Sequence, residues 1–73
     1  MSNLFSNRVK KLRKEHKTPQ KEIADALGIS TRAYRFYESG DRFPDFQGLL
    51  ILADFYDVSL DYLAGRSDIR ERR

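Results

Sequence analysis

The chain has 73 residues and a formal net charge of +3, a length that supports one small core stabilised by efficient packing or a partner subunit, with no second domain expected. With no cysteine and a single histidine, His16, it offers neither disulfides nor a metal-ligand set, so no metal and no other cofactor is expected. The opening residues carry charges and no apolar run, which argues against a signal peptide or membrane span, and the absence of cysteine fits the reducing cytoplasm, where the protein is expected.

Apolar residues recur at helical spacing and nowhere alternate over a strand-length run, so the chain reads as all-α. A first helix over about residues 6–15 buries Phe5, Val9 and Leu12 and leaves its lysines outside. The second starts with Thr18 as N-cap and Pro19 in the first helical position, where the missing N–H costs nothing. Its inner face is Ile23, Ala24 and Leu27, and Gly28 supplies the left-handed residue of the turn that follows. Ser30 caps a third helix, residues 31–39, which buries Ala33, Tyr34 and Tyr37 and ends before Gly40.

Residues 40–44 connect to a fourth helix capped by Asp45, which is expected to send Phe46, Leu49, Leu50, Leu52, Ala53 and Tyr56 into the core. Val58 follows, Ser59 caps a short fifth helix carrying Leu60 and Leu63, and Gly65 stops it. The domain is thus expected over residues 1–65. Residues 66–73, with Arg66, Arg70, Arg72 and Arg73 and almost no apolar content, read as a basic flexible tail.

Charge is sorted along the chain. Up to Gly40 the lysines and arginines outnumber the carboxylates, whereas between Asp41 and Gly65 only Arg42 stands against Asp41, Asp45, Asp54, Asp57 and Asp61. A polyanion is expected to be drawn to the first half and steered from the second, the alternative being a set of ordinary solvated helix faces.

Two short helices around a glycine-containing turn are the unit that sets a second helix into the DNA major groove, although any helical hairpin has that spacing. The residues are more specific. Gln20, Ile23, Ala24, Leu27, Gly28, Ile29 and Ser30 are followed by Tyr37, Glu38, Ser39, Gly40 and Pro44. Leu12 and Arg13 precede them, and Leu49, Leu50, Leu52, Ala53 and the run Val58, Ser59, Leu60, Asp61, Tyr62, Leu63 come after.

On these residues the chain resembles the Cro/C1-type helix-turn-helix family, also called the Xre family, over about residues 8–65. The resemblance implies a five-helix, lambda-repressor-like domain whose helix-turn-helix is formed by helices 2 and 3. It also implies a sequence-specific, double-stranded DNA-binding transcriptional regulator of repressor type.

Residue by residue, the resemblance makes Gln20 a phosphate contact that also braces the recognition helix, as an amide can donate and accept at once. Thr31, Arg32, Arg35 and Phe36 become the base-edge candidates. Arg32 leads them because a guanidinium can donate two hydrogen bonds to guanine O6 and N7, the alternative for Arg32 and Arg35 being a phosphate contact only. Phe36 stands where the family often has a polar or basic residue; it either touches a thymine methyl or packs on the protein surface. Tyr34 replaces a commoner branched aliphatic, so its hydroxyl needs a partner. Lys21, Ser39 and Arg42 are the further phosphate candidates, Lys21 being alternatively a solvated lysine. Arg13 and Glu38 match a buried salt bridge between helices 1 and 3, which makes Glu38 a scaffold residue rather than a catalytic acid.

Five short helices leave little room for an enzyme's pocket, and His16 beside Glu15 is no catalytic constellation, so no enzymatic activity is expected. No small-molecule site is evident. The competing reading is a protein-interaction module of the same fold, an antitoxin or anti-repressor acting through a protein partner. On helix 4, Ile51 and Phe55 lie one turn apart outside the core stripe, with Gly48 one turn before Ile51. That face is expected to pair two copies into a homodimer on a (pseudo)palindromic operator, the alternative being a locally thicker core within one chain.

Overall fold

Five helices follow one another, with no strand among the described residues: α1 (Leu4–Glu15), α2 (Gln20–Leu27), α3 (Thr31–Ser39), α4 (Phe46–Tyr56) and α5 (Leu60–Ala64). The structure, a computed structural model, describes residues 4–72, so Met1, where the domain was expected to start, and Arg73 at the end of the tail lie outside the described residues.

The helix starts follow local chemistry. Ser30 Oγ accepts from the Ala33 amide at 3.0 Å, Asp45 Oδ1 from Gly48 at 2.8 Å and Ser59 Oγ from Tyr62 at 2.9 Å. Each cap of this kind is worth about 1 kcal/mol. At α2 the expectation shifts by one residue. Pro19, not Thr18, holds the capping position with no side-chain bond, and its carbonyl accepts from Glu22 and Ile23. Thr18 is instead buried, and its carbonyl accepts from Arg13 Nη1 at 3.2 Å. Gly28 (φ 72°) and Gly40 (φ 88°) close α2 and α3 in the left-handed geometry that glycine takes without strain.

The core draws Phe5, Val9 and Leu12 from α1, Ile23 and Ala24 from α2, Tyr34 from α3, Leu52, Ala53 and Tyr56 from α4, and Val58, Tyr62 and Leu63 from the last segment. Leu27, Tyr37, Leu49 and Leu60 pack around it half-buried. Two residues of α4 expected inside lie outside: Phe46 is 65% exposed and Leu50 38%. The cause is that α4 is apolar nearly all round, so its period cannot choose a face, and packing against α2 and α5 selects Leu52, Ala53 and Tyr56.

Gly48 also departs from expectation. It is buried, and a Cβ there would lie 2.7 Å from Cβ of Pro44, so the missing side chain makes room for the chain's own entry into α4 and not for a second helix. Ile51 is half-buried and lines a groove with Leu27, Ile29 and Tyr37, so it too has neighbours within the chain. Phe55, 38% exposed, stands edge-on to Tyr56.

The tail, expected to be flexible, folds back over α1 and α5. The Ser59 amide donates to the Arg70 carbonyl at 2.9 Å and the Ser59 hydroxyl to Ile69 O at 3.1 Å. Arg8, whose side chain is largely covered, donates to the carbonyls of Tyr62 and Ser67, pairs with Asp68 and stacks 4.2 Å over the Tyr62 ring. Arg70 pairs with Glu15, and Arg72 with Asp54 and Asp57. The lack of apolar residues marked the segment as flexible, while ion pairs and backbone acceptors, whose partners composition does not show, are what hold it. No helix among the described residues is long and apolar enough to cross a membrane.

Candidate nucleic-acid interface

The inner side of α3 is anchored in the core by Tyr34, whose side chain has no exposure at all. One turn later Glu38 enters a network that ties three helices together. Arg13 of α1 grips its carboxylate with two bonds, Nε to Oε2 at 2.5 Å and Nη2 to Oε1 at 3.1 Å. The Tyr34 hydroxyl donates to Oε2 at 2.5 Å, which supplies the partner that a buried phenol requires. Gln20 Nε2, from the start of α2, reaches Oε1 at 3.4 Å.

Burial acts against the charge on Glu38, but the hydrogen bonds from Arg13 and Tyr34 outweigh it and hold the carboxyl below its ordinary range. The same bond to Glu38 raises Arg13. Burial, and then the bond to Glu38, pushes the Tyr34 phenol far above the usual tyrosine range, so it stays a donor. Burial likewise pushes Tyr56 up to about 12.

The network continues outward. Gln20 Oε1 accepts from Arg35 Nε at 3.2 Å, so the amide uses one end on the buried carboxylate and the other on an exposed arginine of α3. Arg35 is thereby turned toward the start of α2. Arg32, one turn earlier, is exposed and makes no hydrogen bond or ion pair among the described residues; Thr31 beside it is half-buried. Phe36 is half-buried, with the Arg42 guanidinium 4.7 Å above its ring centroid.

Of the remaining phosphate candidates, Lys21 makes a surface pair with Asp25 at 2.9 Å, a contact worth too little to hold it from a phosphate. Ser39 Oγ lies 3.1 Å from Phe36 O and 2.8 Å from Asp41 Oδ2 and donates its one proton between these acceptors, so it is engaged within the chain. The structure thus brings Gln20, Arg35, Arg32, Phe36 and Arg42 onto or beside the outer side of α3. Gly48, Ile51 and Phe55 belong to α4. The link from Glu38 through Gln20 to Arg35 was not readable from the sequence, because it joins residues of two helices whose side-chain directions only packing fixes. Two signals were available: the tyrosine at 34, a polar group in a core position, and the bracing of the recognition helix by Gln20 that the resemblance implies. No cluster of metal-ligating side chains occurs among the described residues.

Two helices locked across a glycine turn, with the second showing arginines outward and a braced carboxylate inward, define a helix-turn-helix module. The helix-turn-helix family profile matches residues 9–63, and the chain belongs to that family, in its Cro/C1 type. It is similar to the uncharacterized HTH-type transcriptional regulator YqaE of Bacillus subtilis (strain 168), at 48% identity over 60 residues covering 82% of this chain and 52% of that protein. It is also similar to the cryptic phage CTXphi transcriptional repressor RstR of Vibrio cholerae, at 39% identity over 62 residues covering 85% of this chain and 55% of that one. Among solved structures it is similar to the P22 c2 repressor in complex with a synthetic operator. There the TM-score is 0.81 and the identity 27%, over 90% of this chain and 100% of that one. The chain spans about half the length of the curated relatives it matches.

Proposed function

We propose that the chain binds double-stranded DNA in a sequence-dependent way and acts as a transcriptional repressor, laying α3 in the major groove. The observation that carries this reading is Arg32: an exposed guanidinium with no partner among the described residues, on a helix whose opposite side is fixed by the Arg13–Glu38 pair and by Tyr34. A cation on a rigid support can deliver bidentate hydrogen bonds to guanine. Arg35, Gln20, Lys21 and Arg42 flank it as phosphate ligands, and phosphates take half or more of the contacts in such interfaces. Thr31, the first residue of α3, is the remaining candidate for a base or phosphate contact. Similarity to transcriptional regulators and to an operator-bound repressor supports the same reading. No catalytic step belongs to it, and its place of action is the compartment that holds the DNA, in a bacterium the cytoplasm.

Two copies on a (pseudo)palindromic site extend the proposal. Phe55 and, through its exposed part, Ile51 offer the apolar surface for pairing; Gly48, covered by Pro44, does not. Because Ile51 also lines an intramolecular groove, Phe55→Lys is the cleaner variant, and sedimentation equilibrium of parent and variant reads the loss of pairing. Selection of bound duplexes from a random pool tests the main reading. Enrichment of a defined motif supports it, and an unenriched pool with no salt-dependent binding refutes it.

A further inference from the structure

Phe36 follows Arg35 on α3, and the chain leaving the helix closes around it. Its carbonyl accepts from the amides of Gly40, Asp41 (3.0 Å) and Arg42 (3.2 Å). The wrap returns Arg42 to the recognition helix and sets its guanidinium over the Phe36 ring at 4.7 Å. The Arg42 side chain makes no hydrogen bond or ion pair among the described residues, and the neighbouring Asp41 carboxylate is engaged by the Ser39 hydroxyl. Among the described residues the cation is therefore held by a ring face alone. Such a contact uses the flat side of the guanidinium and leaves its N–H edge open to a phosphate.

We infer that Phe36 is a positioning residue for Arg42, holding the guanidinium ready for a backbone phosphate, and that its contribution to binding runs through Arg42 and not through a base. This rests on the DNA-binding reading above. An arginine already held surrenders less rotamer freedom on reaching its phosphate. An exposed cation–π contact of this kind corresponds to about a two- to fivefold change in affinity. One face of the Phe36 ring is occupied by Arg42, which accounts for an aromatic residue on a helix otherwise polar on its outer side.

The test titrates the parent, Phe36→Leu, Phe36→Met, Phe36→Tyr, Arg42→Ala and Phe36→Leu/Arg42→Ala with the selected duplex, its single-base variants and a scrambled duplex. NMR of the free proteins reads the ring-current shift on the Arg42 side-chain protons, and melts confirm that each variant is folded. The shift is expected in the parent and Phe36→Tyr and absent in the two ringless variants. Ringless variants are expected to bind every duplex about two- to fivefold more weakly. Phe36→Tyr restores binding, and Phe36→Leu costs nothing further once Arg42 is alanine. An unshifted Arg42 in the parent, a loss confined to one base pair, or an equal loss in the Arg42→Ala background overturns the inference while leaving DNA binding intact. A parent that binds no duplex fails earlier, at the DNA reading itself, and overturns both.

Discussion

Helices α3 and α4 are of similar length and lie side by side in the sequence, yet only one announces which way it faces. In α3 the charged Arg32 and Arg35 alternate at helical spacing with Tyr34 and Tyr37, and its buried tyrosine and outward arginines lie where that pattern puts them, while Glu38 faces inward to meet Arg13. In α4 the run from Gly48 to Ala53 has no polar residue, and its inward face is settled by what α2 and α5 offer. Phe46 and Leu50 consequently stand in solvent. A helix carries its orientation in its polar residues; where these are missing, orientation is a property of the neighbours.

The comparison breaks most severely at the anchor of α3. Arg13→Met strands the Glu38 carboxylate with only Tyr34 and Gln20 as donors, and is expected to destabilise the fold by about 3 kcal/mol, the lower end for a broken buried pair. Replacing Glu38 by leucine in the same chain should recover much of that loss, and thermal melts of both variants read it. Equal melting of Arg13→Met and parent would mean that α3 needs no anchor.

On α4 the corresponding test is Gly48→Ala. The added methyl meets the rigid Pro44 ring at 2.7 Å, and overpacking of that kind costs about 1–3 kcal/mol against about 1 kcal/mol gained in helix propensity. A net destabilisation is expected from denaturant titration. A gain would show that the loop before α4 yields freely.

Acid separates the two helices further. The folded carboxyl of Glu38 lies below its ordinary value of 4.5, so its contribution is complete above that pH and is lost as pH falls through the depressed folded value. Melting temperature should therefore drop in that acid window, and a Glu38→Gln chain should show a flatter profile there. The smallest effect is expected from Phe46→Gln with Leu50→Gln, within about 0.5 kcal/mol per site, because both side chains are already exposed. A large loss would place them in a core the structure does not give them.

Much of the fold was legible because its punctuation is chemical. Ser30, Asp45 and Ser59 have acceptors to offer a helix start, and Gly28 and Gly40 tolerate the left-handed turn. Thr18 misled because the adjacent proline takes the cap position with its backbone alone. The site was legible as a set of residue types on α2 and α3, while its wiring was not. That Gln20 links Glu38 to Arg35, that Phe36 carries Arg42, and that Arg8 captures the carbonyls of the tail all depend on long side chains choosing among rotamers after the helices have docked.

The central claim is that α3 reads sequence through a freely presented Arg32 while its surroundings hold phosphate. Binding isotherms of Arg32→Ala and Lys21→Ala on the selected duplex and all its single-base variants test it most directly. Arg32→Ala should weaken the preferred duplex by about 1–3 kcal/mol and flatten the preference at one base pair, while Lys21→Ala weakens all duplexes alike and lowers the salt dependence. An Arg32→Ala chain that keeps the parent's full preference profile would contradict the account.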